Sequence, residues 1–181
     1  MIEARPPKTQ PWSARITYLA LAFVLLAAAL LPLNTVPRSY GTPDILLGVT
    51  AAWAARRPDT LPILVIAGVF LLADFLFQRP PGLYAALVLL MTERLRRRST
   101  RLRKGSFPGE WLAVSLGIAA VGLANHLILS LLATPQAAIR FTLVQIILTI
   151  ALYPVITGVA HMALGLRRPA QGEVDALGHK L

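Results

Sequence analysis

Asp74 is an acidic residue in an otherwise apolar stretch, residues 61–77, and the sequence Gln78-Arg79-Pro80-Pro81-Gly82 then turns the chain into a second apolar run. An ionised side chain inside hydrocarbon costs roughly 2.5–3.5 kcal/mol on insertion scales. A carboxylate at such a position therefore indicates ion or ligand binding, or pairing between helices. No other carboxylate lies within the apolar core of a predicted membrane segment, since Asp44 stands at the start of the second segment and Glu93 follows the apolar part of the fourth.

Other polar side chains recur at a similar depth of the predicted segments. We expect them to form one cluster with Asp74 just below the outer membrane surface, with two arginines near enough to pair with its carboxylate. The additional members are Asn125, His126, Gln145, Arg79 and Arg140. Hydrogen bonding between helices is one interpretation of this cluster, and a small-ligand or ion site open to the outside is another.

Catalytic chemistry has no support in the sequence. The chain contains no cysteine, which excludes disulfides, thiolate catalysis and Cys-ligated metal. It also lacks a glycine-rich phosphate loop, metal-ligand spacing and a serine nucleophile motif. We therefore predict a protein that is not an enzyme and has no cofactor.

Composition indicates an integral membrane protein. Of 181 residues, 56% are hydrophobic and 14% charged, and the mean hydropathy is +0.64. The net charge of +10 would suggest nucleic acid in a soluble protein. Here the basic residues lie between apolar segments, where membrane topology explains them better than nucleic-acid binding.

The apolar runs predict one all-α domain, residues 16–164, with six transmembrane helices. Residues 1–15 precede it, and residues 165–181 form a polar tail. The first apolar run is longer than the core of a signal peptide, which favours an uncleaved anchor over a cleaved leader. Thr42 is expected to cap the second helix, Arg56 to extend it by snorkelling, and Pro154 to kink the sixth. The predicted helices are residues 16–33, 43–55, 61–77, 81–98, 111–132 and 139–164.

The basic residues predict the orientation of these helices. With both termini cytoplasmic, all but three of the 18 lysines and arginines fall on the cytoplasmic side; the exceptions are Arg38, Arg79 and Arg140. All three tryptophans are then expected near the inner interface, namely Trp12, Trp53 and Trp111.

Residues 93–104 carry the densest charge in the chain and are expected to face the cytoplasm. This patch is compatible with a topology signal, with contact to anionic lipid, or with docking of an acidic partner. Its basic members are Arg94, Arg96, Arg97, Arg98, Arg101, Arg103 and Lys104.

The order of several short motifs resembles the bacterial rod shape-determining MreD family over nearly the whole chain. The motifs are Pro43-Asp44-Ile45-Leu46-Leu47, Leu71-Leu72-Ala73-Asp74, Pro81-Gly82-Leu83-Tyr84 and Tyr153-Pro154. The spacing from Asp74 to Gly82 matches the family pattern, whereas Phe70 stands where a glycine is usual and Gln78 replaces a small residue.

The resemblance implies a non-enzymatic inner-membrane scaffold of the cell-elongation machinery for peptidoglycan. Its implied partners are MreC, and also MreB and RodA with its class B penicillin-binding protein. MreD-like chains further resemble the six-helix substrate-binding S-components of energy-coupling-factor transporters. A vitamin-uptake subunit is therefore the alternative function, although the predicted outer links are short and offer mainly Tyr40 and Tyr84 to a ligand.

Overall fold

A computed structural model of the chain describes residues 11–31, 41–104 and 106–164. This part contains six α-helices and no strand, with one 3-10 turn (Pro58–Thr60) after the second helix. The helices are α1 (Pro11–Leu30), α2 (Ile45–Arg56), α3 (Ile63–Leu76), α4 (Leu83–Lys104), α5 (Phe107–Leu131) and α6 (Ile139–Leu164). Arg38, Tyr40 and residues 165–181 of the sequence-based predictions lie outside the described residues.

Several helices have bounds that differ from those predicted. α1 begins at Pro11 and α5 at Phe107, both earlier than expected, and α4 continues to Lys104. Apolar runs mark only the part of a helix that suits hydrocarbon, while Arg, Lys and Glu are good helix formers and extend it further. α5 also gains a favourable start from a proline in its first turn.

α2 is the central helix and packs against α4, α5, α6 and α1. Every residue from Leu46 to Arg56 is buried. Trp53 is among them, so its ring packs within the bundle. Its ring packs edge-on against Tyr18 at 5.5 Å, and its indole N–H donates to Thr60 Oγ1 at 3.1 Å. α2 can be short because neighbouring helices surround it.

Within the described residues, three helices are long and apolar enough to cross a membrane: Trp12–Leu30, Phe107–Leu131 and Ile139–Met162. α2 and α3 are shorter apolar helices, and the second half of α4 is highly charged. Large apolar side chains cover the outside of the bundle, as in Phe23, Leu64, Leu116 and Met162. Such a continuous apolar surface suits lipid and is unusual for a protein in water.

The polar groups of the bundle gather at its two opposite ends. One end is here called the cavity end; α2, α4 and α6 begin there, and α3 and α5 end there. At the other, here called the basic end, Arg56 of α2 meets the start of α5 and Arg96 of α4 meets Pro58. Arg15 of α1 also reaches this end, where its Nε donates to Thr60 O at 3.3 Å.

Candidate functional site

Asp74 lies near the end of α3 and forms hydrogen bonds with the start of α4. The chain between them reverses through two residues with positive φ, Gln78 (+53°) and Gly82 (+89°). Asp74 is fully buried, and its Oδ2 accepts hydrogen bonds from Gly82 N at 3.0 Å and Ala85 N at 3.3 Å. The first N–H groups of a helix have no partner within the helix. Asp74 therefore caps α4 across the hairpin.

Of the two contacts expected for Asp74, the hydrogen bond between helices forms, whereas the ion pair with Arg79 or Arg140 does not. Arg79 contacts Asp74 only through the backbone, where its N donates to Asp74 O at 2.9 Å. Its guanidinium lies over the rings of Phe77 and Tyr84, at 5.2 and 4.8 Å. Arg140 lies over Phe141 at 4.8 Å. Neither arginine forms an ion pair with an acidic side chain in the described part. The neighbouring N–H groups of α4 are closer to the carboxylate than either guanidinium group.

A polar cavity of about 340 Å³ opens at the cavity end. It brings together four of the predicted residues, Arg79, Asn125, His126 and Gln145. Asp74 does not line it, so the expected single cluster is divided into a buried hairpin contact and an open cavity. His126 Nδ1 lies 3.3 Å from Thr142 Oγ1, which ties α5 to α6 at the cavity wall.

Asp44 also lines the cavity, although sequence analysis gave it no role at this site. Asp44, and not Thr42, is the N-cap of α2, with Oδ1 accepting from Leu47 N at 2.9 Å. Its Oδ2 accepts the Tyr84 hydroxyl proton at 2.7 Å, and its backbone N donates to Thr149 Oγ1 at 2.9 Å. One residue thus joins α2, α4 and α6.

A buried ion pair at the basic end was missed entirely by sequence analysis. Arg56 Nε donates to Glu110 Oε1 at 2.9 Å, and the two side chains are only 7% and 2% exposed. The Tyr153 hydroxyl donates to the same oxygen at 2.9 Å. The predicted fifth helix began one residue after Glu110. Since α5 begins at Phe107, this carboxylate lies inside the bundle, and Arg56 turns inward instead of snorkelling.

Trp111, the residue after Glu110, replaces the hydrogen bond that α6 loses at Pro154. Proline has no N–H, so inside a helix it leaves the carbonyl four residues earlier without its usual donor. α6 continues through Pro154, and the indole N–H of Trp111 donates to Ile150 O, the carbonyl in question, at 3.1 Å. Glu110 thus accepts a hydrogen bond from Tyr153, and Trp111 donates one to Ile150 O. These two contacts hold α5 against α6.

The described arginines of the basic run have different surroundings. Arg96 Nη2 donates to Pro58 O at 2.9 Å, and Arg97 pairs with Glu93 at 2.8 Å in an exposed i,i+4 contact. Arg94 and Arg98 instead line a groove between α4 and α5. The side chains of Arg101, Arg103 and Lys104 lie outside the described part of the structure.

The polar side chains described above form hydrogen bonds and ion pairs with one another. Within residues 11–31, 41–104 and 106–164, no group of three or more His, Cys, Asp or Glu side chains is placed to hold a metal ion. Comparison of the chain with protein-family models, with curated proteins and with solved structures finds no match.

Proposed function

We propose that this protein is a multi-pass, non-enzymatic scaffold subunit of the bacterial cell-elongation complex in the inner membrane, similar to MreD. Its first partner is MreC; RodA with its class B penicillin-binding protein, and MreB, complete the complex. The observation that carries the proposal is the hydrogen bond between Asp74 and Gly82. These two residues define the spacing on which the resemblance depends, and their contact gives that spacing a physical reason.

Charge supports an orientation for the scaffold. Arg15, Arg56, Arg57 and the run from Arg94 belong to the basic end, whereas the described cavity end carries Arg79 and Arg140. Because cytoplasmic links are rich in Lys and Arg, the basic end is assigned to the cytoplasm and the cavity end to the outside. With six crossings, both termini are cytoplasmic.

A scaffold needs a surface of fixed shape, and the α3–α4 hairpin has the contacts to provide one. Asp74 caps α4 inside the hairpin, and Tyr84 at the start of α4 binds Asp44 of the central helix. Arg79 is held against two aromatic rings. Rigid elements present partner surfaces with less loss of conformational entropy on binding. The hairpin is therefore our candidate for the outer surface that MreC contacts.

The test is capture of an MreC-like partner from co-expressing cells, with the wild-type chain compared with Asp74→Leu and Asp74→Asn at equal expression. We expect the wild type and Asp74→Asn to retain the partner and Asp74→Leu to retain much less. A folded wild-type chain that captures no MreC would contradict the proposed function.

The cavity supports a second candidate, a small-molecule uptake subunit of the S-component kind. Its volume of about 340 Å³ lies at the lower end of the range for ligand pockets, roughly 300–1,000 Å³. Its aromatic lining consists of Phe77 and Tyr84, whose faces are covered by Arg79, so the scaffold is favoured. Calorimetry with thiamine, riboflavin and biotin distinguishes the two functions, because nanomolar affinity for any of them would favour uptake.

A further inference from the structure

A second cavity of about 350 Å³ forms a groove between α4 and α5. Most of its lining is apolar, with Leu87, Leu90 and Met91 on α4. At its centre the two helices touch closely, since a Cβ at Gly117 would lie 3.0 Å from Met91 Cγ. Beside this contact the α5 wall consists largely of small side chains, which leave the groove open along the outside of the bundle. The small members on α5 are Ala113, Gly117, Ala120 and Ala124.

The groove is long enough for a lipid chain of one leaflet. Its α4 wall runs from Leu87 to Arg98, which is about 16 Å at the rise of an α-helix. The hydrocarbon core of a bilayer is roughly 30 Å thick, so one leaflet occupies about half of it. A groove of this length and lining matches an acyl chain that enters at the basic end and extends toward the middle of the membrane.

Two arginines lie at one end of the groove. Arg94 and Arg98 are one helical turn apart on α4, both are exposed, and both line the groove. Neither forms an ion pair in the described part of the chain. The two nearest acids in sequence, Glu93 and Glu110, already pair with other arginines. Positive charge at the end of an apolar groove matches an amphiphile with an anionic head, and basic pockets between transmembrane helices bind such headgroups.

We propose that the groove between α4 and α5 binds one anionic phospholipid, with an acyl chain along Leu87, Met91 and Ala120 and the phosphate between Arg94 and Arg98. This selects two arginines from the basic run and separates them from Arg97, which is occupied by Glu93. The inference requires only that α4 and α5 lie in a membrane. It therefore stands or fails independently of binding to MreC.

The experiment uses the purified full-length protein in mixed micelles with equal amounts of phosphatidylglycerol and phosphatidylcholine, and native mass spectrometry measures the lipid retained. We expect one phosphatidylglycerol to be retained in preference to phosphatidylcholine. Arg94→Gln and Arg98→Gln should each weaken retention about fivefold, which corresponds to about 1 kcal/mol per basic residue. Arg97→Gln removes the same charge from the residue directly before Arg98, but Arg97 pairs with Glu93 and does not line the groove, so this variant should leave retention unchanged.

Two further arms separate the acyl chain from the headgroup. Ala120→Leu fills the groove at an exposed position while keeping both arginines, and it should reduce phosphatidylglycerol retention to the level of phosphatidylcholine. Glycerol 3-phosphate, which has the anionic group without a chain, should not compete.

Four results would overturn the proposal. Equal retention of the two lipids would exclude headgroup recognition, and equal loss in Arg97→Gln would indicate diffuse surface charge. Unchanged retention in Ala120→Leu would leave the groove without a role, and competition by glycerol 3-phosphate would indicate a site for free anions. If Ala120→Leu abolishes capture of a partner protein and leaves lipid retention intact, the groove binds a helix instead.

Discussion

Replacing Asp74 by leucine should destabilise the protein through the backbone of α4. The carboxylate accepts two buried N–H groups, from Gly82 at 3.0 Å and Ala85 at 3.3 Å. Leaving a buried donor without a partner costs roughly 1–3 kcal/mol, so two donors predict a loss of about 2–6 kcal/mol. The longer bond to Ala85 is the weaker one, which favours the lower half of this range.

Asp74→Asn should be much milder. The amide oxygen can occupy the position of Oδ2 and accept the same two bonds. The NH₂ group would then take the place of Oδ1, which has no hydrogen-bond partner within the described residues, so one unpaired buried polar group replaces another. The cost is the difference between a charged and a neutral acceptor, about 1 kcal/mol. Removal of a buried charge offsets part of it.

The assay is the free energy of unfolding in mixed micelles, measured with Arg79→Leu as a third variant in the same hairpin. Arg79 has no ion pair with Asp74, and its ring contacts are each worth about 0.5–1 kcal/mol at exposed sites. We therefore expect Arg79→Leu to cost less than Asp74→Leu, whereas an ion pair would make the two similar. Equal stability of Asp74→Leu and the wild type would refute the capping role.

Three further predictions concern other parts of the bundle. Gly82→Ala should lower the free energy of unfolding by about 1–2 kcal/mol in the same assay, because the residue has φ of +89° although a Cβ would have room; no change would contradict strain as the cause. Arg56→Leu should cost about 3–5 kcal/mol by leaving Glu110 buried and unpaired, and Arg56→Leu with Glu110→Leu should recover part of this loss; simple additivity in the double-mutant cycle would argue against coupling. A cysteine at Gln136 should label from outside intact cells and one at Thr100 only after permeabilisation, since they lie at the cavity end and on the basic half of α4; the reverse pattern would invert the proposed orientation.

The sequence predicted the helical fold better than the helix ends. Long apolar runs identify α1, α5 and α6 because a helix satisfies all the backbone groups of such a segment within the segment itself. The charged second half of α4 and the first turn of α5 carry no such signal, and Glu110 was consequently placed outside the bundle. An acidic residue within two positions of a proline at a helix start is a weak indication that the helix begins earlier.

The sequence indicates that Asp74 is important, but it does not indicate which groups Asp74 contacts. An isolated carboxylate in an apolar run requires compensation, and arginine is the obvious candidate when only residue types are compared. The actual donors are backbone N–H groups, which every residue except proline possesses. Their approach depends on the positive φ values of Gln78 and Gly82, which follow from the folded hairpin. The same limitation applies to the indole of Trp111 and the carbonyl of Ile150.

Asp44 and Asp74 both accept hydrogen bonds from N–H groups at the start of a helix at the cavity end. Near the starts of α2 and α4, the N–H groups of the buried residues Leu47 and Ala85 have no partner within their own helix. Asp44 satisfies α2 from its own N-cap, whereas Gly82, directly before α4, has no side chain that could cap the helix, and Asp74 of α3 accepts the hydrogen bonds instead. A carboxylate near a turn between two membrane helices is thus explained by the start of the next helix before any ligand is required. By this criterion the groove arginines Arg94 and Arg98, which satisfy no helix end in the described structure, are stronger candidates for binding than Asp74.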